Sequence, residues 1–66
     1  ISAGFDARKE DPLGGLNWED DTFVALTQRT MALAEKHAAG RIVSVLEGGY
    51  NPAGLASAAL AHVRAM

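Results

Sequence analysis

The chain begins with five small or apolar residues, Ile1 to Phe5, that show no polar alternation. That is the pattern of the end of a strand buried on both faces. Ala7 to Trp18 interrupts it with charges, Pro12 and the Gly14-Gly15 pair, and reads as a loop with at least one tight turn. Within that loop, Pro12 keeps Asp11 out of helical geometry. From about Asp20 to Ala39, Phe23, Leu26, Met31, Leu33 and Ala34 recur at helical spacing, with Thr27 and Thr30 on the same broad face. This predicts an amphipathic helix. Glu19, Asp20 and Asp21 crowd its first turn, Lys36, His37 and Arg41 its end, and Gly40 stands where a left-handed cap is wanted. Trp18 is placed to pack on Phe23 as a hydrophobic staple.

Arg41 to Leu46 is short, β-branched and apolar on both alternating faces, which predicts a buried parallel strand. Glu47-Gly48-Gly49-Tyr50 ends it. Asn51 is a good N-cap and Pro52 a good first helical residue, so a second helix should run from about Pro52 to Met66. Its expected buried stripe is Leu55, Ala59, His62 or Val63, and Met66. The order strand, long loop, helix, strand, short loop, helix is that of an α/β unit with parallel strands joined by a right-handed crossover. Ligands of such sheets bind beyond the carboxyl ends of the strands. Asp6 and Tyr50 both fall there, and face one crevice if the strands are neighbours.

Size and composition narrow the setting. Sixty-six residues make at most one small domain, and a chain of this size buries only about 60% of its unfolded surface. No cysteine is present, so disulfides and thiolate metal sites are both excluded, and we expect a reducing, cytoplasmic setting. A net charge of -2 with mixed signs gives no basic footprint for nucleic acid. No apolar run reaches the roughly 18 residues of a membrane span, and nothing reads as a targeting segment. The chain starts inside a predicted strand and stops inside a predicted helix. We therefore expect residues 1–66 to be a C-terminal fragment of a single larger catalytic domain.

A carboxylate at a strand end can ligate a metal, act as a general base or bond to its own turn, and residue type alone favours the turn for Asp6, because Asp is a common loop residue. Tyr50 is open between stabilising an oxyanion and packing with its tip in water. The glycines before it allow either a close backbone approach to a ligand or an ordinary turn. "ARKE" reads as a solvated loop, and Asp11 as a loop-structuring carboxylate. His37 and His62 lie in predicted helices and read as structural, His37 near a C-terminus and His62 on or near a packed face. "GGYNPAG" lacks the lysine and glycine spacing of a phosphate loop.

Taken together, "SAGFDARKEDPLGG" and, after a helix and a strand, "VLEGGYN" resemble the C-terminal part of the catalytic domain of the zinc-dependent histone deacetylase and acetylpolyamine amidohydrolase family. The resemblance spans essentially the whole chain. It implies a parallel-sheet fold of the arginase and deacetylase type and a hydrolase that removes acetyl groups from amines. Asp6 in "GFDA" matches the family's third Zn2+ ligand, the other two being an aspartate and a histidine on an earlier segment. Tyr50 in "EGGY" matches the tyrosine that hydrogen-bonds the substrate carbonyl and stabilises the tetrahedral oxyanion. Gly48 and Gly49 match the stretch lining the narrow acyl-lysine tunnel, and Leu13 a position on its rim. Glu47 resembles the class II-like and bacterial members. Some eukaryotic members carry histidine where Tyr50 stands and deacetylate poorly, so Tyr50 implies an active parent enzyme.

Zinc needs three protein ligands and an open position for water, and the family's other two ligands and its tandem histidines are not in this chain. By itself the chain is therefore expected to be inactive. The implied substrate is an acetylated lysine peptide or an acetylated small amine. Leucine at position 13 leans away from acetylpolyamines, whose hydrolases can place an acidic residue there, without excluding them. A non-catalytic homologue that binds acylated ligands is the reading from another class. We also expect an isolated chain of two parallel strands to fold poorly, with unpaired edges and exposed apolar surface.

Overall fold

The computed structural model describes all residues, 1–66. Four elements follow in the expected order: β1 (Ser2–Ala3), α1 (Asp20–Ala38), β2 (Val45–Leu46) and α2 (Pro52–Ala65). The strands are neighbours and parallel, with Ser2 opposite Val45 and Ala3 opposite Leu46. Both are shorter than the sequence predicts. Backbone pairing nevertheless continues past them, from Glu47 N to Ala3 O (2.9 Å) and from Phe5 N to Gly48 O (2.8 Å). This pairing delivers Asp6 and Tyr50 side by side at the carboxyl end of the sheet. The predicted strand start at Arg41 is corrected, because Arg41 still belongs to the helix end. Its amide and its Nε both donate to Ala38 O.

The signals at the helix ends largely act as written. Trp18 precedes the N-cap Glu19 and stacks on Phe23 with centroids 5.6 Å apart, the staple geometry. Asn51 Oδ1 accepts from Gly54 N at 2.9 Å with Pro52 in the first position, so α2 starts as the sequence reads. At the end of α1 the left-handed conformation is taken by Ala39 (φ 53°) before Gly40 (φ 77°), one residue earlier than expected. Gly40 N then closes back on Ala34 O at 3.0 Å, which satisfies a terminal carbonyl.

Phe5 of the strand end, Phe23 of α1 and Ala58 of α2 meet in a small core with Ala3. Ala58 is 0% exposed; its small side chain lets the helices approach closely. The Phe5 and Phe23 rings are tilted at 5.2 Å, a geometry that adds about 0.5–1.5 kcal/mol to area burial. The buried line of α2 is Gly54, Ala58 and His62; of the expected stripe His62 lies on it, Leu55 and Ala59 pack against the core beside it, and Val63 and Met66 are corrected, being exposed. The reason is that α2 turns this line toward α1, and leaves Val63 and Met66 beside a cavity under Leu46 and Ser44. On α1, similarly, Phe23, Thr27 and Ala34 are buried while Leu26 and Leu33 face solvent.

His62 joins three elements. Thr27 Oγ1 donates its only hydrogen to Phe23 O (2.7 Å), so it accepts from His62 Nδ1 at 2.7 Å. That leaves His62 Nε2 as acceptor for Ser44 Oγ, also at 2.7 Å. A hydrogen-bonded histidine in a packed seam is the structural role the sequence predicts. β2, by contrast, is not the buried strand expected: Val45 and Leu46 are exposed, and Val43 is 73% exposed. Only one edge of β2 is paired, and α2 covers it incompletely. No helix is long and apolar enough to cross a membrane.

Candidate active site at the carboxyl ends of the strands

Asp6 leaves the strand end just after Phe5, and its side chain takes part in none of the chain's hydrogen bonds. The turn-bonding reading is therefore not realised in this structure. A β-carbon built on Gly4 would lie 3.2 Å from Asp6 Oδ1, and one on Gly48 would lie 3.3 Å from the same oxygen. Two glycines, one from each strand end, thus open the space the carboxylate occupies. The same point on Gly48 is 3.4 Å from the Tyr50 hydroxyl. The two oxygens cannot then be further apart than those 3.3 and 3.4 Å arms combined. Asp6, Gly48 and Tyr50 are brought together, as the parallel pairing requires.

The other two expected site residues lie differently. Gly49 (φ 135°) turns its α-carbon inward, where a β-carbon would meet Leu55 Cδ1 at 2.9 Å and Phe5 Cβ at 3.3 Å. It lets the chain pass over the core, and its α-carbon does not face Asp6. Leu13 stands in the loop at 72% exposure, an apolar side chain offered to solvent. Its amide is held by Asp11 Oδ1 at 2.8 Å.

Three contributors to the site were missed or under-read in the sequence. Gly14 is the most constrained, since a β-carbon there would fall 1.5 Å from Asp6 O. The loop backbone rests directly on the Asp6 peptide, and no side chain fits between them. Asp11 does more than shape its own loop: Oδ1 accepts from Leu13 N and Gly14 N (2.9 Å), and Oδ2 from Tyr50 N at 2.7 Å. Partial desolvation pushes the Asp11 carboxyl up, but the backbone N–H groups of Tyr50, Leu13, Gly14 and Asn51 outweigh it and hold it below its ordinary range. Asn51 Nδ2 adds a bond to Glu10 O (3.1 Å), and Glu10 adopts a left-handed φ of 69° beside it. The Asp-Pro-Leu-Gly-Gly run, with amides two and three residues after the aspartate, is the signal that could have found the turn. Nothing local could have found the bond to Tyr50, 39 residues away.

Arg8 corrects the reading of "ARKE" as a solvated loop. Its Nε donates to Asp20 Oδ1 at 2.7 Å in the first turn of α1, and Asp20 Oδ2 accepts from Ser57 Oγ of α2. The guanidinium lies over Gly54, where a β-carbon would meet Nη1 at 2.9 Å. These bonds, Arg8 first and Ser57 second, hold the Asp20 carboxyl below its ordinary range. Lys9 pairs at the surface with Glu19 at 2.9 Å. The loop's ends are tied by Trp18 N to Ala7 O and Lys9 N to Trp18 O. Loop, α1 and α2 are thereby joined behind the site.

As a candidate metal site the crevice offers a single group. Asp6 supplies a carboxylate unclaimed by hydrogen bonds, which suits a ligand, but no three His, Asp or Glu residues of this chain converge. His62 is engaged in the seam and His37 is exposed on α1.

The model of the histone deacetylase domain matches residues 1–66. A type-2 histone deacetylase 1 of Dictyostelium discoideum is 41% identical over all 66 residues, which cover 4% of its length. A histone deacetylase-like amidohydrolase of Pseudomonas aeruginosa is 45% identical over 80% of this chain and 14% of its own. A probable deacetylase of Archaeoglobus fulgidus is 44% identical over 82% of this chain and 15% of its own. The chain thus spans less than a sixth of these relatives. With the family model matched from end to end, and parallel strands carrying "GFDA" and "EGGY" to one crevice, this chain belongs to the histone deacetylase family.

Proposed function

We propose that this chain works within a longer catalytic domain as one wall of the active site of a zinc-dependent amidohydrolase that deacetylates acetyl-lysine or related acylated amines. The observation that carries the reading is the convergence of the Asp6 carboxylate and the Tyr50 hydroxyl across Gly48. Asp6 is one of three zinc ligands, the others lying outside residues 1–66. When bound, zinc supplies an activated water and polarises the amide carbonyl. Tyr50 donates its hydroxyl hydrogen to the substrate oxygen as negative charge builds there, an interaction stronger in the transition state than in the ground state. Gly48 leaves room for the acyl group beside that hydroxyl. Exposed Leu13 offers an apolar rim, which favours an acyl-lysine stem over the cationic chain of an acetylpolyamine. A chain with one candidate ligand is inactive alone.

In the complete protein, Tyr50→Phe lowers kcat on an acetyl-lysine peptide at saturating zinc by about 10²- to 10³-fold, the usual cost of one oxyanion donor. An unchanged rate removes the role from Tyr50. Asp6→Ala abolishes stoichiometric zinc, and full retention of metal would take Asp6 out of the ligand set. Comparing rates on an acetyl-lysine peptide and on acetylspermidine decides the substrate class.

A further inference from the structure

Tyr50 has little of its own to fix it. Two glycines precede it, Gly49 at a φ of 135° that other residues avoid. Its phenol is half exposed and forms no hydrogen bond within the chain. The backbone is anchored instead from the opposite loop. Asp11 Oδ2 takes the Tyr50 amide, while Oδ1 takes the amides of Leu13 and Gly14. Gly14 in turn rests on the carbonyl of Asp6. One carboxylate thus ties the tyrosine to the peptide that carries the acidic side chain of the site. Asn51 to Glu10 is a second, weaker brace on the same pair of loops.

We propose that Asp11 is the positioning residue for Tyr50, setting the distance between its hydroxyl and the Asp6 side of the site. The inference rests on the reading of Tyr50 as oxyanion donor. Asp11 touches neither substrate nor reacting atoms; it acts by holding a backbone amide. Asparagine has the same shape and keeps one oxygen for Leu13 and Gly14, but presents an NH2 group to the Tyr50 N–H. Two donors then meet and the Tyr50 arm is lost while the turn survives.

The test is a double-mutant cycle in the complete protein with an acetyl-lysine peptide, zinc content and thermal midpoint being measured in parallel. Asp11→Asn should lower kcat about ten- to a hundredfold, as a displacement near 1 Å does, with KM and bound zinc unchanged. In the Tyr50→Phe background the same substitution should cost less than twofold, because the group it positions is gone. An equal loss in both backgrounds would show a general structural role and overturn the proposal, as would an unchanged kcat. Tyr50→Phe alone tests the underlying reading, so the two failures are separable. If Asp11→Asn does not fold, Asp11→Ser, which keeps one oxygen for the turn, enters the same cycle. Loss of the thermal transition in both variants would also overturn the positioning role.

Discussion

The seam between α1 and α2 and the crevice at the strand ends are built by opposite means. In the seam, Phe5, Phe23 and Ala58 exclude water, and the polar atoms admitted there, on Thr27, Ser44 and His62, satisfy one another. In the crevice almost nothing is buried, and position is fixed by backbone amides on Asp11 and by glycines whose missing side chains leave room for the Asp6 peptide and carboxylate. The seam needs volume and tolerates drift in detail. The crevice needs exact placement and little hydrophobic energy. A crevice that stays open cannot be stabilised by filling it, so hydrogen bonds and close backbone contacts take over that task.

Substitutions can break this contrast, and their expected costs fall in order. Phe23→Ala should destabilise the complete protein by about 3–5 kcal/mol in denaturant unfolding, since it removes the ring between Phe5 and Trp18. Its kcat, once folded, should stay within a few fold. Gly14→Ala should do the reverse. About 1–3 kcal/mol of overpacking strain is expected and, on the proposed reading of Asp6 as a zinc ligand, a larger loss in bound zinc and activity, because the Asp6 peptide must move. If Gly14→Ala left both unchanged, the proposed crevice geometry would be wrong.

Smaller effects test the polar links. His62→Leu strands the partners of its two ring nitrogens and should cost about 1–3 kcal/mol. Asp20 carries a pH dependence of defined sign. Its carboxyl is held down by Arg8 and Ser57, so its contribution is complete above the unfolded value near 3.9 and is lost as pH falls through the lower folded value. Asp20→Asn should flatten that acid limb while costing about 1 kcal/mol or less at neutral pH, as partly exposed pairs do. An acid limb that persisted unchanged in the variant would assign it to other carboxylates. Ala39→Gly should raise stability by up to about 1 kcal/mol, because it relieves a left-handed alanine.

β2 is where burial stops, with Val45 and Leu46 both exposed. The chain exposes 4424 Å², whereas a compact protein of 6.9 kDa exposes about 4,000 Å². Val43, Val45 and Leu46 account for part of the excess. An isolated 66-residue chain should therefore melt without a sharp cooperative transition, and a sharp one would show that these contacts suffice.

Much was legible because it was local. Apolar periodicity located both helices to within a residue or so, Asn51-Pro52 placed the start of α2, and Trp18 met Phe23 as their spacing requires. The quoted motifs pointed to the family, and the strand-end rule anticipated that Asp6 and Tyr50 would share a crevice. That Gly54 and Ala58 rather than Met66 complete the buried line of α2, which residue caps α1, and whether Arg8 is solvated were misread. Each depends on what a neighbouring element presents, and a one-dimensional pattern does not contain that.

The amino-acid sequence by itself thus determined the element order, the parallel α/β class and that Asp6 and Tyr50 stand at the carboxyl ends of the strands, because spacing and residue type act over a few positions. Only the tertiary structure decided that Gly14 must be bare, that Arg8 clamps both helices through Asp20, and that Asp11 holds Tyr50. Those are contacts between segments up to 39 residues apart, and their directionality exists only once the strands have paired and brought two loops within hydrogen-bonding distance.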